Sequence, residues 1–131
     1  MKHSVFYLDD EATALDLFQQ AFGHEYDVRT AATLAAARRM LAERPADIII
    51  SDQSMPEISG TEFLGEVARL YPASYRVMLT GSMAMGAAIS EIASGVVQLF
   101  IPKPWELETM QQVLERASLQ VDFNRAQREA D

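Results

Sequence analysis

The sequence predicts an α/β fold: a doubly wound, five-stranded parallel sheet with helices on both faces. Short β-rich runs alternate five times with longer stretches of helical periodicity. Three of the runs, VFYL, IIIS and VVQLFI, are nearly continuous in apolar residues, as expected of strands covered on both sides. With 131 residues, 49% of them hydrophobic and 23% charged, the chain suits one compact domain with a packed core and has no room for a second full domain.

The predicted strands are Ser4–Leu8, Tyr26–Thr30, Asp47–Ser51, Tyr75–Thr80 and Val96–Ile101. The first helix follows from Ala14, Leu15, Phe18, Ala21 and Phe22 at helical spacing, stopping at Gly23. Leu34, Ala37 and Leu41 mark a second helix, ended by Pro45, and Phe63, Leu64, Val67 and Tyr71 a third, ended by Pro72. Ser59 and Glu62 have the spacing of a capping box at the third helix's start. Met85, Ala88, Ile89 and Ile92 define a fourth helix closed by Gly95; Leu107, Met110, Leu114 and Ala117 define a fifth. Its spacing continues through Val121, and the polar end from Asn124 to Asp131 reads as a linker, a frayed tail and a longer helix being the alternatives.

A net charge of −8 argues against binding nucleic acid or an anionic membrane. Without cysteine there is no disulfide framework, thiolate metal site or cysteine nucleophile, and the cytoplasm is the default compartment. Met1–Asp10 suits a strand better than a signal peptide, and no apolar stretch approaches a membrane span.

The chemistry gathers at strand ends. Asp9 and Asp10 follow the first strand, Asp52 the third, and Lys103 the fifth, while Thr80 ends the fourth. In an open parallel sheet the ligand site lies outside the carboxyl ends of the strands, where strand order reverses; a flavodoxin-like order 2-1-3-4-5 puts that point between strands one and three. Three carboxylates meeting there repel one another, and a hard divalent cation such as Mg²⁺ resolves the conflict. A carboxylate so placed can attack phosphorus, with Lys103 and Thr80 contacting the phosphoryl oxygens. Taken alone, a DD pair after a strand is often only a helix N-cap.

In combination, YLDDE, IIISDQSMPEISG, VMLTGS and FIPKPW resemble the receiver domains of bacterial two-component response regulators, from Val5 to about Leu119. The resemblance implies a CheY-like receiver over residues 1–120 and, over 121–131, a C-terminal helical extension or linker to an output domain. It implies Asp52 as phosphoacceptor, Asp9 and Asp10 as the acid pocket, and the Ser54 carbonyl as completing a Mg²⁺ site in which Mn²⁺ can substitute. Thr80 and Lys103 are then the switch pair, Phe100 the aromatic switch position, Pro56 and Gly60 the loop residues, and Lys103–Pro104 a cis peptide. The implied donor is a sensor histidine kinase or phosphotransfer protein, and the implied function a self-modifying phosphorylation switch rather than a turnover enzyme. FIPKPW resembles receivers joined to phosphodiesterase-type or kinase outputs more than the DNA-binding regulators.

Phe100 departs from the Tyr of many members, and Ser54 and Ser82 occupy variable positions that influence phosphoryl lifetime in the family. Pro102 is tolerable because strand five is an edge in the expected order. His3 and His24 receive no role; Trp105 reads as core, and the methionines, including Met83 and Met85, as gap fillers. Met83–Ser94 carries one charged residue, Glu91, so the helix four, strand five and helix five surface is a candidate for dimerisation or output docking. The competing readings are a phosphatase-like hydrolase with an aspartyl nucleophile, disfavoured by Gln53 and Ser54 after Asp52; a flavodoxin-like nucleotide or flavin module, disfavoured by the lack of a Gly-rich loop after strand one; and a phosphorylation-independent docking module.

Overall fold

The computed structural model describes residues 2–81 and 85–130, the side chains of 85–89 excepted. The expectations for Ser82, Met83 and the Met85 side chain lie outside the described residues.

The order of elements is β1 (Ser4–Leu8), α1 (Ala12–Phe22), β2 (Asp27–Ala31), α2 (Leu34–Glu43), β3 (Ile48–Asp52), α3 (Gly60–Leu70), β4 (Tyr75–Thr80), α4 (Met85–Ser94), β5 (Leu99–Pro102) and α5 (Leu107–Ala130). The strands form one parallel sheet in the order β2-β1-β3-β4-β5, the doubly wound topology expected. Strand alternation sorts the core into two layers. Val5, Tyr7, Ile48, Ile50, Val77, Leu79 and Ile101 pack under Leu15, Phe18 and Phe22 of α1 and Met110, Leu114 and Val121 of α5. Phe6, Leu8, Ile49 and Met78 pack with Ala37 and Leu41 of α2 and Phe63, Leu64 and Val67 of α3.

The main departures from expectation trace to identifiable hydrogen bonds and backbone conformations. The fifth strand begins at Leu99 rather than Val96, because the carbonyls of Gly95 and Val96 accept from the buried Arg76 guanidinium at 2.9 and 2.8 Å instead of entering the ladder. Gly95 has φ 83°, a conformation that stops α4 at little cost only with glycine. Pro102 stands at the exposed end of the edge strand β5, where its missing N–H costs no ladder bond. The polar segment from Asn124 is helical through Ala130. The helix is tied here to the sheet's amino end: Arg125 Nη2 donates to Asp47 Oδ1 at 2.9 Å, and just before the polar segment His3 Nε2 lies 2.8 Å from Asp122 Oδ1. Ser59 caps α3, accepting from Glu62 N at 3.1 Å and donating to the Glu62 carboxylate at 3.2 Å.

Candidate functional site

The alternation that puts Tyr7, Ile50 and Ile101 on the α1/α5 side carries Asp9, Asp52 and Lys103 to that same side just beyond them. Register makes the ends flush, with Leu8 opposite Ser51, Asp52 opposite Leu79, and Leu79 opposite Ile101. Lys103 Nζ consequently donates to Asp52 Oδ2 at 2.9 Å and stands 3.7 Å from Asp9 Oδ2. Asp9 has no solvent exposure, Asp52 is 4% exposed, and Asp10 faces solvent.

Oxygens of Asp9, Asp10 and Asp52 all lie within 4.8 Å of one another. Trans ligands of a magnesium-sized ion stand about 4.2 Å apart, twice the metal–oxygen distance, so this all-oxygen donor set fits a hard divalent cation. Ser54 N donates to Asp52 Oδ1 at 3.3 Å, which turns the start of the loop after β3 back towards that carboxylate. Burial lowers the Lys103 pKa, but the hydrogen bond to Asp52 and the charges of Asp9, Asp52 and Glu11 outweigh it, leaving the ammonium above its ordinary range.

Gly60 holds the loop's far end. A Cβ there would lie 2.5 Å from the Asp52 carbonyl oxygen and 2.6 Å from Met78 Sδ, so only glycine lets α3 start this close to β3. Gly60 N donates to Gln53 O at 2.9 Å. Pro56 is exposed in the same loop. Thr80 ends β4 beside β5, its carbonyl accepting from Lys103 N at 2.9 Å, and the Lys103–Pro104 peptide is cis. Phe100 is partly buried on the opposite layer, against the cluster that contains Met78.

Trp105 is only half-buried, edge-on to Phe18 with ring centroids 6.0 Å apart. It lines an open groove of about 640 Å³ with Ala14, Leu17 and Leu107, and Glu11 and Lys103 also border it. His3 lies at the far end of the sheet and His24 is exposed.

Sequence reasoning missed Tyr7. Its hydroxyl donates to Asp9 Oδ2 at 2.6 Å from a fully buried position. Burial first, and then the Asp9 carboxylate, push its pKa far above the ordinary phenol value. The available signal was its spacing, because residues i and i+2 of a strand share a face.

A family model described as the response regulator receiver domain matches residues 5–115. The chain belongs to that family. As a receiver domain it is 30% identical over 126 residues to the hydrogenase transcriptional regulatory protein HoxA of Cupriavidus necator, an alignment covering 93% of this chain and 26% of that protein. The receiver thus spans about a quarter of the length of the curated relatives it matches. Among solved structures it is similar to chemotaxis protein CheY4 of Vibrio cholerae, with TM-score 0.82, 26% identity, and 89% and 99% of the two chains covered. It shares its fold with the signal receiver domain of an HD domain-containing protein from Pseudomonas fluorescens, with TM-score 0.85, 24% identity, and 93% and 98% covered. Among the described residues no helix is long and apolar enough to cross a membrane.

Proposed function

We propose that this receiver is a phosphorylation-dependent switch of a bacterial two-component system, with Asp52 as the phosphoacceptor. The observation that carries the reading is a nearly buried carboxylate at the carboxyl end of the central strand β3, paired to Lys103 at 2.9 Å and neighboured by two further carboxylates. The donor is the phosphohistidine of a sensor kinase or phosphotransfer protein. An Asp52 oxygen forms a bond to phosphorus while the donor's N–P bond breaks, its electron pair staying on the imidazole nitrogen.

Bound Mg²⁺, or Mn²⁺ in its place, supplies charge neutralisation at the phosphoryl oxygens; Asp10, Asp52 and the Ser54 carbonyl would hold it, and Asp9 would support it through water. Lys103 re-aims its N–H groups from the Asp52 carboxylate to the new phosphoryl oxygens, and the Thr80 hydroxyl donates to them as well. These shifts bias a two-state equilibrium of the α4–β5–α5 face, with the Phe100 ring moving as part of it. The same pocket catalyses hydrolysis of the acyl phosphate, so the domain resets itself and turns over no other substrate.

The groove flanked by Trp105 and Leu17 opens beside Lys103, a position that suits docking of the phosphodonor. The reading includes a cytoplasmic location, an output domain beyond α5 and a homodimer through the α4–β5–α5 face, where Ile92 is exposed. HoxA is named a transcriptional regulatory protein and the Pseudomonas receiver comes from an HD domain-containing protein, so relatives join this fold to different outputs. Light scattering with and without a phosphoryl mimic tests the dimer, and a monomer in both states at high concentration rejects it.

Intact mass after incubation with acetyl phosphate and Mg²⁺ tests the switch. One adduct of about 80 Da, absent with EDTA and in Asp52→Asn, is the expected result. Absence of the adduct with both acetyl phosphate and a cognate kinase would make a phosphorylation-independent docking module the better reading.

A further inference from the structure

Asp9 is held at both oxygens by groups that the fold itself immobilises. Oδ1 accepts from Glu11 N at the start of α1 at 3.0 Å, and Oδ2 accepts from the Tyr7 hydroxyl at 2.6 Å. Tyr7 is fully enclosed on β1, its ring edge-on to Phe18 with centroids 5.1 Å apart, so the donor is fixed by core packing. The other two carboxylates differ. Asp10 is exposed, and Asp52 is held by a loop amide and by the flexible, charged side chain of Lys103.

We infer that Tyr7 is a positioning residue whose hydroxyl makes the acid pocket selective for Mg²⁺ over Ca²⁺. The inference rests on the metal-dependent reading above and deepens it. Mg²⁺ requires a near-ideal octahedron at about 2.0–2.1 Å and keeps several waters, whereas Ca²⁺ takes six to eight oxygens at about 2.3–2.6 Å, often from bidentate carboxylates. A carboxylate pinned through both oxygens does not swing round to chelate. It serves as a fixed acceptor for a metal-bound water, which suits the smaller ion. Without the phenol, Oδ2 keeps only the 3.7 Å ion pair with the flexible Lys103, so Asp9 can rotate and offer the extra, longer contacts that Ca²⁺ uses. Partners of this outer kind typically change metal affinity by about 10–100-fold when removed.

The test uses the full chain, with Tyr7→Phe, Tyr7→Met as a second route to losing the hydroxyl, and Tyr26→Phe as a control that deletes a buried phenol hydroxyl elsewhere. Mn²⁺ is bound first, and its displacement by MgCl₂ or CaCl₂ is followed by water-proton relaxation, with thermal melts to check folding. The expected result is a fall of about tenfold in the Mg²⁺/Ca²⁺ affinity ratio in both Tyr7 variants, at parental values in Tyr26→Phe. An unchanged ratio in the Tyr7 variants, even with both ions weakened, would overturn the inference, as would an equal shift in Tyr26→Phe. If the parent itself binds neither Mn²⁺ nor Mg²⁺, the metal reading fails and this role with it; a parent that binds alongside unchanged Tyr7 ratios removes only the role of Tyr7.

Discussion

Lys103 Nζ donates to Asp52 Oδ2 across 2.9 Å, joining the exit of the edge strand β5 to the end of the central strand β3. The same nitrogen stands 3.7 Å from Asp9, so a single cation balances two buried carboxylates. Lys103→Met leaves both acids without it. Breaking a fully buried pair costs about 3–5 kcal/mol, and the partial exposure of Lys103 reduces this to about 1–2 kcal/mol. On the proposed metal-binding reading a divalent cation replaces the lost charge, so millimolar Mg²⁺ should raise the melting temperature of Lys103→Met more than that of the parent. Thermal melts with and without the ion measure the difference, and equal increments would show that Lys103 does not balance this pocket.

Gly60 sets the distance between α3 and the Asp52 backbone. Its Cβ position is 2.5 Å from a carbonyl oxygen and 2.8 Å from Gln53 Cα, neither of which can give way as a flexible side chain would. Gly60→Ala should destabilise the domain by about 2 kcal/mol, in the usual range for overpacking, and slow acetyl phosphate labelling of Asp52. Urea denaturation and labelling rates test both effects; a neutral result would mean that the loop yields freely.

Arg76 is 5% exposed and faces no carboxylate in the hydrogen bonds it makes. Its guanidinium instead donates to the carbonyls of Val96, Ser74 and Gly95 and to the Ser74 hydroxyl, and burial lowers its pKa. Arg76→Met removes these donors and should cost about 2–3 kcal/mol by orphaning buried acceptors. Amide exchange should rise first around Gly95–Gln98. A uniform rise across the sheet would contradict this local role.

The phenols of Tyr26 and Tyr75 are pushed above 10.0 by burial, opposed at Tyr26 by a hydrogen bond with Ser118 and at Tyr75 by the Arg116 charge. The folded state therefore retains protons that the unfolded state releases above pH 10, and stability falls as pH rises through that value. Tyr75→Phe removes one such group, so its stability relative to the parent should improve progressively above pH 10. Urea midpoints on either side of that pH measure the slope; parallel curves would sink the prediction.

The order of elements, the two-sided burial of the strands and the carboxyl-end location of Asp9, Asp10, Asp52, Thr80 and Lys103 were legible in the chain, because apolar periodicity and strand-end position are local properties. Boundaries were less so. The late start of β5 depends on Arg76, a residue that nothing in its own neighbourhood marks as buried, and the helical run to Ala130 is anchored by pairs such as Arg125–Asp47 that join distant segments.

Sequence by itself determined that this is a receiver and which side chains can meet, since four strand ends and their acidic, hydroxyl and basic residues follow from spacing. Tertiary structure alone decided how they meet. It took register to set Lys103 against Asp52, and core packing to turn Tyr7, an apparently ordinary strand residue, into a fixed donor to Asp9. Hydrogen-bond partners separated by 51 positions are chosen by sheet geometry, which no local pattern encodes.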